Sequence, residues 1–373
     1  MNKLLTFLAA SMLVFCQSKK EESSASTHNA SQTEKAVADS PQTPLKDTIS
    51  IVAVGDIMIG SKYPSISYLP KDDAVGSFNA VKDYLKGDIV FGNLEGTLID
   101  NGYTQKCGKN SSNCYAFQMP ERYGKIIKDA GFMLMSIANN HAGDFGEAGR
   151  KRTAEVLDEN GILYAGQIEK PYITFEKNGV KYGFCAFAPN RNMVSILNIK
   201  EAQQIVRELK SKSDIVIVSF HGGAEGAKHT RVPRKNEIFF GENRGNVYEF
   251  AHSVIDAGAD IVLGHGPHIT RAVELYKNKF IAYSLGNFNT YGRFNLKGVN
   301  GIAPLLDIKL NAKGDFLYSK VVSIKQTDEE GVQLDPNSGA FQQIKSLTLA
   351  DFPENILHFD GNLIKRGSET SIN

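Results

Sequence analysis

Five times along this chain a short, β-branched apolar run ends in groups that can ligate a cation. The clearest is Ala259-Asp260-Ile261-Val262-Leu263, followed at once by Gly264-His265-Gly266-Pro267-His268. The others lead into Gly55-Asp56, Asn93-Leu94-Glu95, Asn139-Asn140-His141 and His221-Gly222-Gly223. Continuous apolar runs of this length read as strands buried on both faces, as in parallel sheets. Parallel neighbours need crossover connections, which directs the chain to an α/β fold. In open α/β sheets the crevice beyond the carboxyl ends of the strands is where ligands bind. The pattern therefore predicts that Asp56, Asn93, Glu95, Asn140, His141, His221, His265 and His268 gather along one edge of a sheet. A set of imidazole, carboxylate and amide groups without thiolate suits Mn, Fe, Zn or Mg ions better than a soft metal.

The stretches between these runs carry helix signals. Residues 74–86 read as a helix. Pro120 opens a second that runs to about Ala130, since proline is favoured in the first helical turn. Residues 146–160 form a third, closed by Asn160-Gly161. Residues 199–212 and 246–257 supply two more. Asn178-Gly179 between alternating runs predicts a β-hairpin from Pro171 to Pro189 that separates two α/β halves. Phe280 to Phe288 reads as one strand ending in polar residues, and 303–311 and 316–325 as a pair that turns at Gly314-Asp315. The tail from 326 is polar, with a short helix near 339–347, and is read as a C-terminal extension, 326–373.

With 373 residues the chain can bury a sizeable core in one large domain or two. A formal net charge of +1 argues against a general nucleic-acid binder. The first 16 residues stand apart. Lys3 precedes an apolar run from Leu4 to Phe15 that is short for a membrane span but suits a signal-peptide core. It ends in Leu13-Val14-Phe15-Cys16, which resembles a bacterial lipoprotein cleavage box, with Phe15 where a small residue is usual. This predicts export, a lipid anchor to the membrane at Cys16 and a place in the cell envelope; simple secretion is the alternative. Residues 17–47 hold almost no large apolar side chain and read as a disordered tether. In an exported protein, Cys107 and Cys114 on either side of a polar loop are expected to pair. Cys185, inside an apolar strand pattern, is expected to be a buried thiol.

Taken in order, Gly55-Asp56, Asn93-Leu94-Glu95, Ala138-Asn139-Asn140-His141 with Asp144 and Gly146, His221-Gly222-Gly223-Ala224-Glu225, Gly264-His265-Gly266-Pro267-His268 and Ser284-Leu285-Gly286-Asn287-Phe288 resemble the CapA family of poly-γ-glutamate capsule-synthesis proteins. The resemblance covers roughly residues 49 to 325, within the predicted domain at 48–325. That family is similar to the calcineurin-like metallophosphoesterases, so the resemblance implies a four-layer αββα sandwich with a two-metal centre. It implies Asp56 as the first metal ligand, Asn140 as a metal-bound amide and His141 beside the leaving group. His221, His265 and His268 match the later histidine ligands. Three positions depart from the phosphoesterase pattern. Met58 stands where those enzymes place a histidine, Asn93-Leu94-Glu95 replaces a bridging Gly-Asp, and the last two histidines are three apart rather than two.

Two functions follow. In one, Asp56 and His141 serve a metal-dependent hydrolase acting on a phosphoester or amide-type bond. In the other, the same edge binds or tethers an anionic surface polymer such as poly-γ-glutamate without catalysis. The loop 222–245 carries Arg231, Arg234 and Arg244, whose guanidinium groups are expected to bind phosphate or polymer carboxylates. The alternative is a loop closed by its own ion pairs to Glu225, Glu237 and Glu242.

Overall fold

The computed structural model describes residues 47–104, 106–107, 114–327 and 331–367. The expected signal peptide, the anchor at Cys16 and all of the tether but residue 47 lie outside these residues. Two-residue bridges aside, the strands and α-helices in chain order are β1 Thr48–Met58, β2 Ile89–Leu94, α1 Tyr123–Ala130, β3 Leu134–Ser136, α2 Gly146–Glu159, β4 Leu163–Ala165, β5 Tyr172–Lys177, β6 Val180–Phe187, α3 Ile199–Lys210, β7 Ile215–His221, α4 Val247–Asp256, β8 Ile261–His265, β9 Val273–Tyr276, β10 Lys279–Ala282, β11 Asn287–Thr290, β12 Ile302–Asn311, β13 Phe316–Thr327, β14 Gly331–Leu334, α5 Gly339–Asp351, β15 Leu357–Asp360 and β16 Leu363–Arg366.

The strands form two sheets. The first runs β15-β16-β13-β12-β1-β2-β3-β4, with β11 beside β1 and β14 beside β13; the second runs β9-β10-β8-β7-β6-β5. In the first, β1 to β4 are mutually parallel. In the second, β6, β7, β8 and β10 are parallel. Each run of parallel strands points its carboxyl ends in one direction, and these are the ends that carry the polar groups.

Three apolar layers explain the stacking. Ile51, Ala53, Phe91 and Leu134 from the first sheet meet Phe184, Ile217, Leu263 and Ala282 from the second, all buried. The opposite face of the first sheet, through Val52, Val54, Val90 and Met135, packs on Tyr123 and Ile127 of α1 and on Val156 and Leu157 of α2. The opposite face of the second, through Val216, Val218 and Val262, packs on Val206 and Leu209 of α3 and on Phe250 and Val254 of α4. Both sheets are covered on both faces, which is why their strands read as continuous apolar runs. The result is the four-layer αββα sandwich. Among the described residues no helix is long and apolar enough to cross a membrane.

One irregularity positions the site. Val52 and Ala53 of β1 pair with Val90 and Phe91 of β2, but the next pair is Asp56 with Asn93. Strand β1 therefore carries one extra residue, a β-bulge. Strict alternation would send Asp56 to the helix-covered face after Val52 and Val54. The bulge turns it to the inner face, beside Asn93 and toward the second sheet. Gly55 sits in the bulge because a side chain cannot: a Cβ there would lie 1.9 Å from the Gly286 carbonyl oxygen. That carbonyl accepts the Asp56 N–H at 2.8 Å.

Three elements differ from the sequence reading. Residues 74–86 form turns and a single 3-10 turn at Lys82–Tyr84. Asp73 and Ala74 have φ of 55° and 63°, and the Asp72 carboxylate takes the N–H groups of Ala74 and Gly76, a competing arrangement that breaks a helix. Phe280 to Phe288 is two strands. β10 belongs to the second sheet and β11 to the first, and the chain crosses between them at Gly286, whose φ is 66°. Finally, the segment after 325 is built into the first sheet as β14, β15 and β16. Its composition is polar, but Val332, Phe341, Ile344, Leu357 and Ile364 are buried. The hairpin at Asn178-Gly179 forms as expected, with φ of 53° and 78° at the two turn residues.

Candidate metal centre

The polar strand ends converge from both sheets, where the sequence pattern predicted a single sheet edge. From the first come Asp56 in β1, Asn93 in β2, Glu95 just beyond it, and Asn139, Asn140 and His141 after β3. From the second come His221 and His265 at the ends of β7 and β8, then His268 beyond Pro267. His268 has φ of 57°, a left-handed backbone that is uncommon outside glycine, asparagine, aspartate and histidine. The turn brings its ring back over the same edge.

Asp56 is fully buried. Its Oδ1 lies 3.1 Å from His265 Nδ1 and its Oδ2 3.0 Å from His268 Nδ1. The Asn93 amide donates to Oδ1 at 2.9 Å. An ionised carboxylate only accepts, so both Nδ1 atoms carry the proton. This leaves each Nε2 to face the centre. Glu95 Oε1 lies 3.4 Å from His268 Nε2 and 3.5 Å from His221 Nε2. Ligand atoms of Glu95, His221 and His268 all fall within 4.8 Å of one another, a geometry that could hold one cation.

The electrostatics follow from burial against pairing. Burial alone would raise the Asp56 carboxyl, but the hydrogen bonds from His265 and His268 outweigh it and hold the group well below the usual carboxylate range. Burial pushes Glu95 well above that range; His268 opposes this, and Asp56 and Glu225 add to it. Burial pushes His221 well below the usual imidazole value. Burial also works against a charged His268, yet Glu95 and Asp56 outweigh it and raise the ring to about 10.

Much of the hydrogen-bonding capacity here is unused. Both oxygens of Glu95, both ring nitrogens of His221, Nε2 of His265, and Oδ1 of Asn140 and Asn287 are buried without a hydrogen-bond partner among the described residues. An orphaned buried polar atom costs roughly 1–3 kcal/mol. Glu95 and His221 belong to the group whose ligand atoms converge, and a cation there would satisfy their lone pairs.

His141 lies beside this cluster. Its Nδ1 is 2.7 Å from Asp144 Oδ2, its N–H is held by the Asn139 side chain at 3.0 Å, and its ring lies 4.1 Å from that of Phe117. The Asn139 amide also donates to Asn93 Oδ1 and to the Leu94 carbonyl, tying the third strand end to the second. Lys106 reaches behind His141 to Asp144 and to the Asn140 carbonyl. Burial lowers the His141 imidazole, against the opposing pull of Asp144. Cys107, next to Lys106, is disulfide-bonded to Cys114. Cys185 is a buried free thiol, pushed up by that burial. Lys106 and Phe117 were not found by sequence reasoning; a lysine in a polar loop and a lone phenylalanine carry no signal of their own.

The loop arginines are placed differently from the expectation. Arg231 is ion-paired to Asp351 and donates to the Ala350 carbonyl. Arg234 pairs with Glu354 and donates to the Asp351 carbonyl at 3.0 Å. Both guanidinium groups thus pin the loop to the end of α5 and the residues after it instead of facing the metal edge. Arg244, 5% exposed, lies 3.1 Å from Glu225 Oε1 and 3.0 Å from Glu242 Oε2. The contact with Glu225 is an ion pair without hydrogen-bond alignment, and among the described residues Arg244 Nε and Nη1 have no hydrogen-bond partner. Behind them Arg271, fully buried, binds Glu237 and the carbonyls of Ala224 and His229.

Comparison with known proteins bears on this edge. Residues 50–291 match the family model described as bacterial capsule synthesis protein PGA_cap. The chain is 30% identical over 264 residues to the capsule biosynthesis protein CapA of Bacillus anthracis, covering 65% of this chain and 60% of that one. It is 31% identical over 259 residues to the PGA biosynthesis protein CapA of Bacillus subtilis, covering 65% and 63%. It thus spans less than two thirds of the length of these relatives. Among solved structures, the NAD nucleotidase NadN of Haemophilus influenzae is similar with a TM-score of 0.41, at 13% identity over 80% of this chain and 62% of that one.

Proposed function

This chain belongs to the bacterial capsule synthesis family PGA_cap, and from that premise we propose that it is an exported envelope protein with a divalent-cation-dependent hydrolytic site. The observation that supports the reading is the set of buried atoms on Glu95, Asn140, His221 and His265 that have no hydrogen-bond partner among the described residues. Glu95, His221 and His268 would hold the first ion, with Asp56, Asn93, Asn140 and His265 around it. The bound ion supplies Lewis acidity for hydrolysis of a phosphoester or amide-type bond. The protein's own residues do the rest. Asp56 fixes the rotation of two imidazoles, an outer partner of the kind that orients histidine ligands. Asp144 accepts from His141 Nδ1 and favours the imidazolium against burial, the form in which Nε2 can give a proton to a leaving group. Phe117 covers the His141 ring and keeps bulk water from it.

A second reading has its own support. Met58 is fully buried in the apolar layer under α1 and α2, and an amide, Asn93, stands beside Asp56. An edge with fewer ionic ligands suits binding of an anionic surface polymer without turnover. Hydrolysis assays on metal-loaded full-length protein decide between the two, with bis-p-nitrophenyl phosphate and a γ-glutamyl amide as substrates. Turnover that is lost in His141→Gln with metal retained supports the enzyme; bound metal without turnover supports the binding role. Membrane attachment through Cys16 is tested by incorporation of labelled fatty acid and by its loss in Cys16→Ser.

A further inference from the structure

We propose that Arg293 forms an anion subsite at the mouth of the metal edge, built to take a second carboxylate or phosphate of an extended anionic substrate. The inference rests on the functional reading above and narrows its substrate class.

Arg293 lies against two rings. Its guanidinium carbon lies 4.7 Å from the ring centroid of Tyr115 and 5.0 Å from that of Tyr68. Cation–π contacts of this type orient the guanidinium without neutralising its charge, which suits two-point recognition of a carboxylate or phosphate. Nη2 donates to the Cys114 carbonyl at 3.2 Å. Among the described residues Arg293 has no other hydrogen bond and no carboxylate partner. The contrast with Arg231, Arg234, Arg244 and Arg271 is direct, since each of those is matched to an acidic side chain. A guanidinium that is oriented, half-buried and unneutralised is poised for an anion from outside.

The subsite is continuous with the metal edge. Phe294, the next residue, lies 5.4 Å from the His268 ring and 5.1 Å from Phe117. Phe117 lies against His141. Tyr115, two residues before Phe117 and 6.5 Å from it, continues the wall outward to Arg293. An aromatic wall therefore runs from the imidazoles at the centre to the cation at the rim. A small phosphoester would be held wholly at the centre. A chain with repeated anionic groups would lay one group there and place another against Arg293.

The test uses full-length, manganese-loaded protein and three fluorescein-labelled probes: γ-linked pentaglutamate, a pentaglutamine analogue in which each α-carboxylate of that γ-linked chain is a neutral carboxamide, and linear polyphosphate. Loss of one charge-assisted, two-point contact should weaken pentaglutamate binding roughly tenfold or more in Arg293→Gln. Arg293→Lys should recover part of it. Metal content and pentaglutamine binding should be unchanged. A loss confined to polyphosphate would assign the subsite to phosphate, and a loss confined to pentaglutamate would assign it to carboxylate. Wild-type affinity of Arg293→Gln for both anionic probes would overturn the proposal. So would equal loss for the neutral probe, which marks a structural role, or failure of the wild type to bind either anion. Metal content, measured separately, reports on the metal edge whichever way Arg293 falls.

Discussion

The two sheets contribute opposite chemistry to the same edge. The first supplies oxygens and amides, on Asp56, Asn93, Glu95 and Asn140, with His141 at its margin. The second supplies imidazoles, on His221, His265 and His268. Neither set is complete alone. Carboxylates buried without cationic partners would protonate, and buried imidazoles without acceptors would stay neutral and unsatisfied. The pairing of Asp56 with His265 and His268 shows what their meeting achieves, because it keeps a fully buried carboxylate ionised. The site is thus a property of the interface between the sheets, and whatever misaligns them should disable it more than the loss of any surface group.

The largest effect is expected at His141. His141→Gln should lower hydrolysis by about 10²–10⁴-fold while leaving bound metal at wild-type stoichiometry, because His141 stands beside the cluster and not within it. Loss of metal in this variant would make His141 part of the inner set and break the division between the sheets.

Gly55→Ala probes the alignment itself. A Cβ 1.9 Å from the Gly286 carbonyl must displace the crossing where β10 hands over to β11. Overpacking of this kind costs typically about 1–3 kcal/mol, read as a lower denaturant midpoint, and metal affinity should fall with it. Wild-type stability and metal content would show that the bulge does not position Asp56.

This bulge also marks where the sequence stops being legible. The apolar runs located the strands that carry the site, and their polar ends located nearly every group at the edge. Asp56 could be named as a strand-end residue, but the face it occupies depends on one extra residue opposite Gly92, which no periodicity reveals. The crossing at Gly286 is hidden for a similar reason: Phe280 to Leu285 reads as a strand and Ser284, Gly286 and Asn287 read as its polar end, so nothing in the run shows a change of sheet. Between the two readings of the loop arginines the sequence does not decide, because charge in a loop says nothing about its partner. Arg231 and Arg234 are matched by acidic groups more than a hundred residues away, whereas Arg293 was overlooked as a lone cation.

A smaller and graded effect concerns pH. In chelator-treated protein His268 holds its proton up to about 10, against 6.5 in the absence of the fold. Its contribution to stability is full below 6.5 and is lost as pH rises from 6.5 toward 10. Glu95 acts in the same direction, since its folded value is raised above 4.5 and the unfolded chain releases its proton first. The melting temperature of metal-free protein should therefore fall with rising pH across the alkaline range. Metal-loaded protein, whose ligands must already be deprotonated, should show a flatter profile. Parallel profiles would contradict the account.

The smallest effect is expected at the loop arginines. Arg234→Ala removes a partly exposed ion pair with Glu354, and such pairs contribute about 0–1 kcal/mol. Metal content and turnover should be unchanged, and a large loss of either would return Arg234 to the site.

The central claim is that the edge where the sheets meet holds a cation through groups from both. It is tested most directly by the metal content of full-length protein, stripped with chelator, reloaded with manganese or zinc and freed of excess ion. The account predicts about one to two equivalents in the wild type, as for one- and two-metal hydrolytic sites. It predicts background levels in Glu95→Gln, from the first sheet, and equally in His221→Ala, from the second. Wild-type protein that retains no ion, or that keeps its full complement after loss of either group, would contradict it.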